Sequence, residues 1–379
     1  MLVPGAGEVE VVDPGLVDRI RQHLATAPGH DGSPAGVRAA VAAALHAEGI
    51  HLPAARLAPL VRDLADHVVG LGPLESLLRQ PGVTDVMVNG PRQVWVERHG
   101  RLELTAVTFP SAEAVLQAVR RIVGPLGGRI DRSRPFVDAK LPDGSRLHAV
   151  AAPIVVDGPL VTVRRFDARL VDWATLTASD TVPADAAALL HQAVTQRLAV
   201  VVCGRTGTGK TTLLQRLLSD VDPDDRVVLI EDAPELRPRT RHLVRMETRP
   251  PSAEGSGAVD IATLVRQALR MRPDRIIVGE VRGIEIADVL QALITGHEGC
   301  MTTVHASTAA QALIRLEGMA LQAGLPLAAA HAQLASAIDL IVALDRGPAG
   351  RRGVVEVAEV RVEGRVPRAI PRWQRRVWA

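Results

Sequence analysis

The chain has 379 residues, Lys+Arg 44 against Asp+Glu 42 for a formal net charge of +2, and 47% apolar residues drawn mostly from Ala, Val and Leu. Such a composition can bury a large core and excludes a disordered chain. The near-balanced charge argues against a nucleic-acid coat, and a chain with no Tyr and three Phe lacks the stacking platforms of single-strand readers.

The first 34 residues, rich in Gly, Pro and Asp, are expected to be a flexible segment (1–34). They show no basic start followed by an apolar run, so no secretory signal is expected. A helical region (35–80) follows, with apolar residues at helical spacing over Val37–Ala47 and again over Pro53–Leu78. From Val83 the pattern alternates through VTDVMVNG, QVWVERHG and RLELTAVTF, with turns at Asn89-Gly90-Pro91 and His99-Gly100. Ser111 is a natural N-cap for the helix SAEAVLQAVRRIVG, and further strands fall near 147–150 and 160–165. Residues 81–168 thus read as an α+β module.

Beyond a connection the rhythm becomes strand–helix–strand–helix through LAVVVC, RVVLIE, RIIVGE, CMTTVH and DLIVAL. Nearly all-apolar strands alternating with helices imply a mostly parallel sheet covered on both faces, over 175–379. The segment 249–258 reads as a mobile loop. Cys203 and Cys300 sit in apolar runs and read as buried thiols rather than a disulfide or metal pair. The most apolar long stretch, Pro326–Leu344, is interrupted by His331, Gln333, Ser336 and Asp339, whereas a membrane span needs about 20 largely unbroken apolar residues.

Directly after LAVVVC comes Gly204-Arg205-Thr206-Gly207-Thr208-Gly209-Lys210-Thr211-Thr212, the pattern G-x-x-x-x-G-K-[ST] between a strand and a helix. Its glycines let the backbone wrap phosphates, and the helix N-terminus adds partial positive charge. Lys210 is placed to contact the β- and γ-phosphates of a nucleotide, and the Thr211 hydroxyl to bind Mg²⁺. Glu280 ends the apolar strand RIIVGE, with Gly279 where many such enzymes carry a magnesium-binding Asp. A second acidic cluster, Glu231, Asp232 and Glu235 in LIEDAPEL, ends another strand, and His305 ends a third. Ligands of doubly wound sheets bind off the carboxyl ends of the strands, so these groups can converge on one phosphate.

In the order GRTGTGKTT, LIEDAPEL, MRPDRIIVGEVRG and GHEGCMTTVHAS, the chain resembles the ATPase superfamily of type II and IV secretion and pilus systems. Within it, the run 129–166 is similar to the segment preceding the core of CpaF-like ATPases of Tad/Flp pili. The resemblance implies an α/β, RecA-like P-loop ATPase domain behind a smaller α+β, PAS-like N-domain. It implies a homohexamer that hydrolyses ATP with Mg²⁺, at the cytoplasmic face of the membrane, beside an inner-membrane platform protein. Glu280 is then the catalytic base, Glu231 the Asp-box acid, His305 the His-box histidine, and Asp232 joins Thr211 at the metal. Arg146 and Arg164 match the arginines that family members extend from the N-domain to the phosphates. A motor for conjugal DNA transfer, and a nucleotide-gated binding module, are the competing readings. No direct sequence-specific nucleic-acid binding is expected. The basic tail VPRAIPRWQRRVWA could dock on a membrane partner or fold back on its own domain.

Overall fold

In the computed structural model, residues 14–26, 34–98, 100–165, 172–249, 256–376 and 378 are described, and the chain divides into two units, Met1–Phe166 and Asp167–Ala379. The first unit opens with three helices, α1 (Pro14–Thr26), α2 (Pro34–Ala47) and α3 (Ala54–Val69). Val17, Ile20 and Leu24 recur at helical spacing on α1 and bury against Val41 and Leu45 of α2 and Leu64 of α3. The expectation of a flexible segment over 1–34 is therefore corrected for 14–26, where three apolar residues on one face are enough to dock a helix. Residues 1–13 and 27–33 lie outside the described residues. The single helix expected over 53–78 is two: α3 ends at Gly70, Gly72 takes φ 65°, and α4 (Leu74–Leu78) starts after Pro73.

Six strands follow: β1 (Val83–Asn89), β2 (Val94–Arg98), β3 (Arg101–Leu104), then α5 (Ala112–Val123), then β4 (Phe136–Lys140), β5 (Arg146–Val150) and β6 (Leu160–Arg164). They form one antiparallel sheet in the order β3-β2-β1-β6-β5-β4. Ser111 Oγ accepts the Ala114 N–H and caps α5, whose Val115, Val119 and Val123 cover one sheet face. Strand β4 was not legible in sequence, because its central Asp138 and its Lys140 break the apolar pattern.

The second unit runs α6 (Trp173–Ala178), α7 (Ala184–Thr195), β7 (Val200–Gly204), α8 (Lys210–Leu218), β8 (Arg226–Glu231), β9 (His242–Glu247), α9 (Ile261–Ala268), β10 (Arg275–Val278), α10 (Ile286–Ile294), β11 (Met301–Val304), α11 (Ala309–Gln322), α12 (Leu327–Ala337), β12 (Leu340–Arg346), β13 (Arg352–Glu363) and β14 (Val366–Gln374). The sheet order is β14-β13-β12-β7-β11-β10-β8-β9. From β12 to β9 every pairing is parallel, and β13 and β14 extend it antiparallel. Alternate residues of β7 face opposite layers: Val200 and Val202 pack with α7 and α8, and Val201 and Cys203 with α9 to α12. Both faces are covered, which is why these strands read as continuous apolar runs.

The apolar stretch 326–344 divides into α12 and the central strand β12, and no described helix is long and apolar enough to cross a membrane. Both cysteines are buried, free thiols, with burial pushing each pKa up to about 12. Of the loop expected at 249–258, residues 250–255 lie outside the described residues. The tail folds back: β14 pairs with β13, and Trp373 Nε1 donates to Asp185 Oδ2 at 2.7 Å.

Candidate nucleotide site

Strand β7 lies between β12 and β11, so its carboxyl end delivers the Gly204–Thr212 loop at the middle of the sheet. Any side chain at Gly204 would strike Thr208 Oγ1 and stand 2.9 Å from the Leu344 carbonyl. Gly207 (φ 72°) and Gly209 (φ 98°) take left-handed conformations that other residues adopt only at a cost. Thr208 is buried and its hydroxyl donates to Arg205 O at 2.8 Å, closing the loop on itself. Lys210, the first residue of α8, is 8% exposed and donates through Nζ to Gly204 O (3.0 Å) and Arg205 O (3.3 Å). Thr211 and Thr212 are exposed on the first turn of α8, where unpaired backbone N–H groups attract anions.

The acidic strand ends lie on the β11–β10–β8 side of this loop. Glu280 follows β10, and its backbone is fixed by its neighbours: Gly279 N donates to Ile230 O, Val281 N to Thr303 O, and Thr303 Oγ1 to Gly279 O. Arg282 grips Glu280 Oε2 through Nε (2.8 Å) and Nη2 (2.5 Å). His305 Nε2 stands 2.8 Å from Glu280 Oε1, yet that buried oxygen has no hydrogen-bond donor among the described residues. Burial first, then the Lys210 ammonium, holds the His305 pKa below its usual range, against the pull of Glu280. That direction favours the neutral imidazole, which can donate through one nitrogen and accept through the other.

Glu231 is different in kind. It is buried at the end of β8, and its Oε1 accepts the backbone N–H groups of Glu235 (2.8 Å) and Leu236 (2.9 Å). Burial pushes its pKa up to about 7 in spite of those donors. A carboxylate so engaged clamps the loop 232–236 to the sheet. It also explains Gly279: a Cβ there would come within 3.2 Å of Glu231 Cγ. Asp232 points the other way, 3.6 Å from Arg282 Nη1, and accepts from Thr248 Oγ1 at 3.2 Å.

The donor set suits a hard cation held mostly by substrate. Among the described residues no cluster of three His, Cys, Asp or Glu forms a cage, while the Thr211 hydroxyl and the Asp232 carboxylate offer oxygen ligands. Mg²⁺ is commonly bound by one or two protein oxygens together with phosphates and water, so these residues fit it.

Arg282 joins Glu280 and Asp232, and His305 stands beside Glu280 within the electrostatic reach of Lys210, all off the carboxyl ends of the strands. Arg146 and Arg164 belong to the first unit, where they are direct register partners on β5 and β6, with Lys140 opposite Arg146 on β4. Residues in such register share one face, so the three cations form a row. Arg282 was missed, although it stands two residues past Glu280 in the same strand-end segment.

A parallel sheet with a P-loop at its centre and acids at the neighbouring strand ends defines a P-loop NTPase of the RecA-like class. The family model described as Type II/IV secretion system protein matches residues 67–365, and the chain belongs to that family. It is 44% identical over 320 residues to the "Putative conjugal transfer protein Rv3659c" of Mycobacterium tuberculosis, covering 83% of this chain and 91% of that one. It is 35% identical over 311 residues to the conjugal transfer protein TrbB of Rhizobium radiobacter, covering 80% and 91%. Among solved structures, the Legionella pneumophila ATPase DotB shares the fold at a TM-score of 0.53 and 23% identity, over 75% of this chain and 78% of that one.

Proposed function

We propose that the chain is an ATP-hydrolysing motor subunit of a type IV-like secretion system, of the kind that serves conjugal transfer. The observation that carries hydrolysis is the Glu280 carboxylate at the strand end beside the P-loop, with His305 Nε2 2.8 Å from its Oε1. A general base needs a carboxylate positioned at the reacting phosphate, and Arg282 on one oxygen with His305 beside the other fixes that position. In this reading Lys210 leaves the loop carbonyls for the β- and γ-phosphates, and neutral His305 donates to the γ-phosphate. Thr211 and Asp232 would hold Mg²⁺, which when bound supplies charge neutralisation at the phosphates. Glu231 keeps the Asp-box loop in place. Arg146 and Arg164 are carried forward as charge-supplying arginines, a role worth ~10³–10⁵ in rate where it operates. A homohexamer at the cytoplasmic face of the membrane, working with a membrane platform protein, completes the proposal and rests on the family resemblance.

The names of the relatives support conjugal-type transfer better than the Tad/Flp pilus expected from residues 129–166. A relaxase gene beside this one would favour DNA as cargo, and prepilin genes would restore the pilus reading. The central test is an ATPase assay with the full chain, with sizing by light scattering. Lys210→Ala should lose both ATP binding and hydrolysis. Glu280→Gln should keep binding and lose turnover by about 10²–10⁴. Undiminished hydrolysis in Glu280→Gln would overturn its role as base, and negligible turnover by the wild type would favour a nucleotide-gated binding module.

A further inference from the structure

The P-loop has a second flank. Strand β12 runs parallel to β7 with Leu344 opposite Gly204, so the next residues of β12 emerge beside the loop. An arginine at an exposed strand end is ordinarily a solvated charge, but Arg346 lies against the phosphate loop: a Cβ on Gly207 would stand 2.7 Å from Arg346 Nη2. The backbone that carries it is pinned on both sides. Asp345 Oδ1 accepts from Arg205 Nη2 and from Arg346 N, each at 2.8 Å, which ties the strand end to the P-loop. The Trp378 ring covers Gly347 so closely that no side chain would fit there. Arg375 stacks 4.2 Å over that ring and is itself anchored to Val354 O and Asp180 Oδ2, each at 2.7 Å.

Sheet order then orients a nucleotide. Glu280 and His305 lie on the β11 and β10 side of β7, which is where the γ-phosphate must point. The nucleoside must leave the loop on the opposite flank, the β12 side, where Arg346 is held. We propose that Arg346 is a nucleotide-binding residue that engages the nucleoside end, its planar guanidinium stacking on the purine base. This rests on the ATP reading above and adds a residue outside every motif of the sequence.

Calorimetric titration of the full chain with ADP and with inorganic tripolyphosphate separates the two ends. Arg346→Ala should weaken ADP by about tenfold and leave tripolyphosphate within about twofold of wild type. Arg346→Lys should recover little, because an ammonium does not stack as a guanidinium does. Unchanged ADP affinity in Arg346→Ala overturns the proposal, and so do equal losses for both ligands, which would place Arg346 on the phosphates. Thermal melting of each variant confirms the fold. A wild-type chain that binds neither ligand overturns the ATP reading itself, which distinguishes that failure from this one.

Discussion

The two edges of the parallel sheet both carry clustered charge, and they use it in opposite ways. At the amino edge Arg275, at the start of β10, is 2% exposed and donates to Asp225 Oδ2 at 2.8 Å and to Val194 O at 3.1 Å. Arg197 pairs with the other oxygen of Asp225. The Asp225 carboxylate is fully engaged by protein, and Gly299 (φ 72°) leaves Arg275 the room it needs. At the carboxyl edge Glu280 meets partners that are themselves partly exposed, Arg282 and His305, Asp232 is loosely held, and Lys210 rests on backbone carbonyls that phosphates can replace. Composition does not distinguish the edges. What distinguishes them is whether the protein has already used the charge.

The contrast is open to test by its stability signature. The largest effect is expected at the amino edge: Asp225→Ala leaves Arg275 as a buried, uncompensated charge and should cost about 3–5 kcal/mol in chemical denaturation. ATP turnover per folded molecule should survive. A mild cost there, or a selective loss of turnover, would break the division between a structural edge and a chemical one.

Glu231 offers an intermediate case, a carboxyl-edge acid used like an amino-edge one. Its folded pKa, about 7, lies above the ordinary 4.5, so the stability it contributes is fully present below about pH 4.5 and is lost as pH rises through 7. Glu231→Gln does not titrate. Its melting temperature relative to wild type should therefore rise between about pH 5 and pH 8, equivalent to about 1–3 kcal/mol. Any fixed offset from the new amide near Arg245 drops out of that slope. A pH-independent difference would show that Glu231 is not buried as an acid.

The smallest effect sharpens the point about burial. Arg241 and Asp224 pair at 3.4 Å at the same amino edge, but both are about four-fifths exposed (81% and 79%). Arg241→Ala should change stability by no more than about 0.5 kcal/mol. A cost comparable to that of Asp225→Ala would mean that pairing, rather than burial, sets the scale.

Much of the carboxyl edge was legible in the sequence, because a P-loop and strand-terminal acids are local patterns. The amino edge was not. Arg275, Asp225 and Arg197 are scattered along the chain among 42 arginines, and only the parallel register brings them together. Strands β9, β13 and β14 escaped for another reason. They lie outside the central strands and alternate or mix polar residues, so they lack the continuous apolar runs that mark β7 and β8. Arg346 escaped because its meaning depends on the neighbour that β12 acquires, and nothing local to DLIVALDRG specifies that neighbour. The tail showed its Trp and Arg residues but not their target, which is the unit's own surface at Asp185, Asp180 and Gly347.

The contact between Glu231 and Gly279 also constrains the history open to this site. With Glu231 Cγ 3.2 Å from where a Cβ would sit, a side chain enters position 279 only if Glu231 gives way by a few tenths of an ångström. A lineage restoring the usual Walker B acid would therefore displace Glu231, and with it the Oε1 that holds the Asp-box loop. Each residue sets which substitutions its neighbour can accept. Gly279→Ala should therefore be felt first at residues 232–236, the loop that Glu231 holds.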